Sequence, residues 1–230
     1  MYVSNSTGMP SPVSNTDRMG RPAKFTRQQL QSAALAIVDA QGVAALSMRS
    51  LAGALGTGAM TLYNYVSMRE DLDVLVVEAV LAETRWPALA NLAWRDEVRA
   101  IATGMWQAVR RHPHAIPLIM TRRSRTPAVF DVAEALLAAL ARGGLSGRAL
   151  LLAFRAVSSL VMGMAQNELA GPLALRAGES AQKTIARFRA LPPARFPRLV
   201  EVAEAAQASS ADAEFDAALA MLIEGIAASA

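Results

Sequence analysis

A chain of 230 residues, 53% of them hydrophobic, has room for a small first domain and a larger second one. Alanine and leucine dominate, aromatics are only 5% and cysteine is absent, which favours helix and excludes disulfide frameworks and thiolate chemistry. The formal excess of +4 lies wholly within residues 1–69, and the remainder is balanced; a basic front on a neutral body suits phosphate binding, or simply solubility.

Residues 1–20 are rich in Ser, Asn, Thr, Pro and Gly without periodicity and read as a disordered tail. Order begins at Phe25. Thr26 and Gln29 have capping-box spacing, Phe25 and Leu30 sit where a hydrophobic staple packs, and Leu30, Ala33, Ala34, Ile37 and Val38 follow at helical spacing. Gly42 should end this first helix as a left-handed cap. Ser47 then caps a short helix carrying Leu51, Ala52 and Leu55, and Gly56 breaks it. A second short helix is expected over 58–65, with Leu62 facing inward. Ser67 and Glu70 have the spacing of another capping box, opening a long helix with Leu72, Leu75, Val76, Ala79 and Val80 on one face and closing at Trp86-Pro87.

The rest reads as helices over 95–111, 115–121, 127–141, 146–169, 179–206 (broken near Pro192-Pro193) and 212–228. Gly143-Gly144 and Gly171-Pro172 are breaks. Strand-like alternation is absent. No stretch reaches the roughly 18 uncharged apolar residues that cross a bilayer; the most apolar, 149–167, contains Arg155. No apolar run follows the first charges, so neither a signal peptide nor a membrane partner is expected. The absence of cysteine fits a cytoplasmic protein.

Two short helices joined by a glycine-containing turn make a helix-turn-helix. Ala52 is small where the helices cross, Gly56 supplies positive φ, and Leu46, Leu51, Leu55 and Leu62 can seal the unit on the first helix. Thr61, Tyr63, Asn64 and Tyr65 are left around the second helix. Tyr63 and Tyr65 are two residues apart and cannot both face outward, so one of them is structural.

The run Leu51-Ala52…Leu55-Gly56…Met60-Thr61-Leu62-Tyr63…Tyr65-Val66…Arg69-Glu70-Asp71-Leu72 closely resembles the signature of tetracycline-repressor (TetR) family regulators, over about residues 26–85. The segment from Phe215 to Ile226 resembles the last helix of many members. The resemblance implies an all-α protein: a three-helix DNA-binding domain (21–66), a connecting helix (67–85), and a larger helical domain (86–230) for ligand binding and dimerisation. It implies that Thr61, Tyr63 and Tyr65 touch phosphates and bases, that Arg49 contacts base or backbone, that Arg69 binds phosphate, and that Ser47 and Met48 lie near the groove edge. Lys24, Gly58, Ala59 and Met60 complete the candidate DNA-facing set. Tyr65 stands where histidine is common in the family. Gly58-Ala59-Met60 offers few hydrogen-bonding groups, which leaves thymine methyls and DNA shape to carry part of the readout.

Partners implied are a palindromic double-stranded operator, a second copy of the chain, and a small effector that releases DNA. Repression is the default expectation; activation stays open. Met105, Trp106, Val109, Phe130, Phe154, Val157, Leu160, Val161 and Met164 lie on three expected helices as core or as cavity wall. Their character suits a largely apolar ligand, with Gln107, Gln166 or Asn167 as polar anchors. The apolar stripe Phe215, Leu219, Leu222, Ile223 and Ile226 is expected at the two-fold interface, together with the helix over 146–169.

His112-Pro113-His114 lacks the further donors a metal needs, so neither metal nor cofactor is expected. Arg122-Arg123-Ser124-Arg125 reads as a solvated loop, with an anion or second nucleic-acid contact as its other reading. Two histidines, no cysteine and no Gly-rich phosphate loop leave no catalytic constellation. The competing reading is a helical ligand-binding or scaffolding protein with a non-functional head.

Overall fold

The computed structural model describes residues 24–87, 92–122, 127–170, 180–192 and 194–229. The 1–20 tail, the Gly171-Pro172 break and Arg123 to Arg125 lie outside the described residues. Among those residues there are eleven α-helices, two 3-10 turns and no strand. The all-α expectation holds.

Helix α1 (Arg27–Gln41) begins where the sequence places it. Thr26 Oγ1 accepts from the Gln29 N–H at 3.2 Å, and Gln29 Oε1 accepts from the Thr26 N–H at 2.8 Å, so each otherwise orphaned N–H is met by the other residue's side-chain oxygen. Gly42 ends it at φ 79° and ψ 171°. The positive φ is as expected, but ψ is extended rather than left-handed helical, and the chain leaves into a 3-10 turn at Val43–Ala45. Helix α2 (Met48–Ala54) is capped by Ser47, whose Oγ accepts from the Ser50 N–H at 3.1 Å. Gly56 takes φ 60° and turns the chain into α3 (Ala59–Leu62), shorter than the expected 58–65.

Helix α4 (Arg69–Ala82) corrects the sequence reading of its start. Its cap residue is Met68, not Ser67. Asp71, not Glu70, does the capping: its Oδ2 accepts from the N–H groups of Ser67 (2.8 Å) and Met68 (3.0 Å). A carboxylate in the first turn also complements the helix dipole. Both sides of α4 are buried, because α1 packs on one and α5, α6 and α7 on another. This explains why Val77, Asp73 and Glu78 are buried along with the expected stripe.

Seven helices form the remainder: α5 (Trp94–Arg111), α6 (Ile116–Thr121), α7 (Pro127–Arg142), α8 (Gly147–Ala170), α9 (Ala181–Arg189), α10 (Pro197–Gln207) and α11 (Ala211–Ala227). Helix α5 packs against α7, α8 and α11, while α9 and α10 pack mainly on each other. Gly104 is required on α5, since a Cβ there would overlap the Arg85 carbonyl.

Two expectations about the body are corrected here. Phe215, Leu219, Ile223 and Ile226 are buried inside their own subunit, and Leu222 is partly buried against the same core. They pack α11 on α5 and α8, so this stripe is not a free face for a second copy. Trp106 stacks on Phe215 with ring centroids 4.3 Å apart and planes 2° from parallel. Of the residues assigned as core or cavity wall, Trp106, Val109, Val157 and Val161 are wholly buried; Met105, Phe154, Leu160, Met164 and Gln166 are partly buried. Phe130 is 54% exposed and turns away from this group.

The α8 segment Gly147–Glu168 includes the apolar stretch interrupted by Arg155. It is long and apolar enough to cross a membrane by length and composition, with mean hydropathy 1.5, yet only 22% of it is buried in the subunit. Ala153, Val157, Val161 and Ala165 form its core face; Leu151, Leu152, Arg155 and Ser159 point away from it.

Candidate nucleic-acid interface

The helix-turn-helix rests on α1 through Leu46, Leu51, Ala52 and Leu62, all buried. The Thr57 N–H donates to the Ala52 carbonyl at 2.9 Å, closing the turn. Lys24 Nζ donates to Thr57 Oγ1 at 3.1 Å, which brings the leading strand of the head beside the turn.

With the inner face sealed, the outer face is left with Arg49, Gly58, Met60 and Tyr63 exposed and Thr61 half-buried. Met60 is 79% exposed and Tyr63 52%. An apolar side chain so uncovered at the start of a helix has no folding role to explain it. Arg49 carries no ion-pair partner among the described residues. Met48 and Ala59 are half-buried and pack against the core. The Ser47 hydroxyl is engaged in capping α2.

Tyr65 is the structural member of the tyrosine pair. Its ring meets Phe25 edge-on at 6.2 Å, and its hydroxyl oxygen accepts from the Phe25 N–H at 3.2 Å. Its assignment to the DNA-facing set is therefore corrected in favour of packing.

The positive charge of the head is thinner than a residue count suggests. Arg27 donates through Nε and Nη2 to the two oxygens of buried Glu78 at 2.9 and 2.8 Å, and these bonds raise its pKa further. Arg69 Nη1 donates to Asp73 Oδ1 at 2.5 Å. Both acids lie on α4, so the connecting helix returns negative charge to the head. Among the described residues, Lys24 and Arg49 have no acidic partner there.

One joint ties head, connector and body together. His112, at the end of α5, has Nδ1 2.9 Å from Asp39 Oδ2 on α1 and Nε2 3.1 Å from Glu83 Oε2 at the end of α4. His114 Nδ1 lies 3.0 Å from the Asp39 carbonyl oxygen. Burial alone pushes the Glu83 carboxyl up, but hydrogen bonds and charge from His112 and Arg111 outweigh it and hold it below its ordinary value. Its contribution is therefore present above the unfolded-state pKa and is lost as the pH falls through the folded one. His112→Ala removes both carboxylate contacts and should cost about 1–3 kcal/mol, read as a lower melting temperature. An unchanged melt would show that the joint holds nothing.

Residues 86–230 match the family model described as Tetracyclin repressor-like, C-terminal domain. An HTH-type transcriptional regulator from Saccharopolyspora erythraea is 35% identical over 144 residues, 63% of this chain and 61% of that one. The HTH-type transcriptional repressor DrrR1 from Streptomyces coeruleorubidus is 32% identical over 151 residues, 65% and 56% respectively. The chain thus spans less than two thirds of the length of these relatives. Among solved structures, the Streptomyces coelicolor TetR family protein ActR in complex with (S)-DNPA superposes with a TM-score of 0.76 at 27% identity, covering 90% of this chain and 98% of that one. A helix-turn-helix with an uncovered outer face, set on a helical body that matches the family model over more than half its length, places this chain in the TetR family of transcriptional regulators.

Proposed function

We propose that the chain is a dimeric transcriptional repressor of the cytoplasm that binds a palindromic operator and is released by a small, largely apolar effector. The observation that carries this is the exposed set Arg49, Met60 and Tyr63 on an otherwise sealed helix-turn-helix. The same unit in two copies would face half-sites about 34–36 Å apart. The dimer contact in this reading is the outward side of α8 together with the outward side of α11, where Met221 is exposed.

The repressor reading is supported by DrrR1, a repressor, and the effector reading by ActR, solved with a bound small molecule. Within this chain, Trp106 Nε1 is buried with no hydrogen-bond partner among the described residues. An effector acceptor that reached it would satisfy it, and the half-buried Met105, Phe154 and Met164 are the apolar wall this reading assigns to the effector. Typical coupling of about 1–3 kcal/mol between effector and DNA lowers operator affinity roughly 5- to 150-fold.

The test is anisotropy against inverted-repeat duplexes selected from a random pool. Binding should weaken steeply with salt, with log K against log[salt] sloping about −0.9 per phosphate neutralised. Arg49→Ala and Tyr63→Ala should each cost about 1–3 kcal/mol of operator binding with the oligomeric state unchanged. Full affinity in both variants would remove the site assignment, and no binding by the parent chain would remove the function.

A further inference from the structure

The salt bridge that holds Arg69 has a second cation on it, and that cation comes from the body. Asp73 is almost fully buried on α4. Its Oδ1 accepts from Arg69 Nη1 at 2.5 Å, and its Oδ2 accepts from Arg122 Nε at 3.0 Å, with Arg122 Nη2 also at 3.0 Å. Arg69 opens α4 at the edge of the head, and its Nη2 reaches the Val43 carbonyl only at 3.4 Å. Arg122 is the C-cap residue of α6, which packs on α4 and α8. Both guanidinium groups are nearly half exposed, while the carboxylate between them is not.

Two guanidinium groups on one carboxylate leave a net charge of +1. Each arginine holds one oxygen, so Arg69 meets Asp73 through a single N–H, with a second, longer bond to the Val43 carbonyl, and keeps its remaining donors and much of its charge. If Arg122 left, both oxygens would be open to Arg69. A two-pronged arginine–carboxylate pair is the favoured geometry, and it would neutralise Arg69 and draw its fork away from solvent. We propose that Arg122 is a positioning residue for DNA binding: by occupying half of Asp73 it keeps Arg69 available to a phosphodiester group. This rests on the reading of Arg69 as a phosphate contact. It also gives the body a route to the head. Any ligand that shifts the end of α6 changes the charge presented to DNA, even with the recognition helix unmoved.

The experiment uses the full chain and its selected operator, with affinity measured from low to moderate salt. The variants are Arg69→Ala, Arg122→Met, the two combined, and Arg122→Met with Asp73→Asn; each is checked by melting. Arg122→Met should flatten the salt slope by about 0.9 per head, about 1.8 for a dimer, and weaken binding roughly tenfold or more near 0.1 M salt. It should add nothing in the Arg69→Ala background. Asp73→Asn should return the slope towards that of the parent, because Arg69 is then free again. A full slope in Arg122→Met, an effect that persists without Arg69, or failure of Asp73→Asn to restore the slope overturns the inference while leaving the DNA-binding reading intact. An unchanged slope in Arg69→Ala removes the phosphate assignment and the inference together. No operator binding by the parent chain defeats both this inference and the function it rests on.

Discussion

Trp106→Ala is expected to destabilise the subunit by about 3–5 kcal/mol, the usual cost of deleting a large buried aromatic. For a chain of this size that lowers the melting temperature by roughly 6–20 °C. The indole is the largest fully buried side chain, and it lies flat on Phe215. The Arg110 guanidinium sits 4.8 Å from its ring centre. Arg110 in turn donates to Glu168 on α8 at 2.8 Å and to Asp212 on α11 at 3.3 Å. Trp106 and Arg110 together therefore link α5 to α8 and α11, and loss of the indole opens a cavity against Phe215. Trp106→Phe separates packing from ligand chemistry. It keeps a ring on Phe215 but removes Nε1–H together with the rest of the five-membered ring, so it should destabilise less than Trp106→Ala while weakening the response to effector. Melting of Trp106→Ala at the parent's temperature would show that the stack is not a core element.

The same pair shows how far sequence reading reached. A stripe at helical spacing announces that a face is covered, and Phe215, Leu219, Ile223 and Ile226 are indeed covered. It does not announce by what. The partner is Trp106 on α5, more than a hundred residues away, and no local pattern encodes that pairing. Local signals fared better. The Thr26–Gln29 box, the Ser47 cap and the Gly56 turn act over three or four residues, and all three are present. The α4 cap departs from the Ser67–Glu70 expectation because Ser67 and Asp71 both have capping chemistry within one turn, and the carboxylate captures the free N–H groups. Burial of Asp73 and Glu78 is invisible locally for the opposite reason: Arg27 and Arg122, which pair with them, are distant in the chain, and the i,i+4 pair of Arg69 with Asp73 reads from sequence as an ordinary exposed helix pair. Of the candidate interface, Arg49, Met60 and Tyr63 came from the resemblance, and the helix pattern alone left open which of Tyr63 and Tyr65 faces outward.

Leu152→Asp should split the proposed dimer, where Phe215→Asp should instead unfold the subunit. Leu152 is 54% exposed on a predominantly apolar helix that is mostly uncovered within one chain. Leaving that much hydrocarbon in water is costly, and a matching face on a second copy removes the cost from both. Ala217 and Met221 on α11, which packs beside α8, continue the surface. By two-fold symmetry each substitution places two carboxylates in the contact. At about 2 kcal/mol for each central residue lost, dissociation should strengthen roughly a thousandfold. Sedimentation should then show monomers at concentrations where the parent is dimeric, with melting of the subunit core preserved. Operator binding should fall with it, because separate heads lose the roughly 10²- to 10⁴-fold gain from joined half-site binding. A Leu152→Asp protein that still sediments as a dimer would exclude this face of α8 from the contact, and the uncovered apolar surface would then need a different partner.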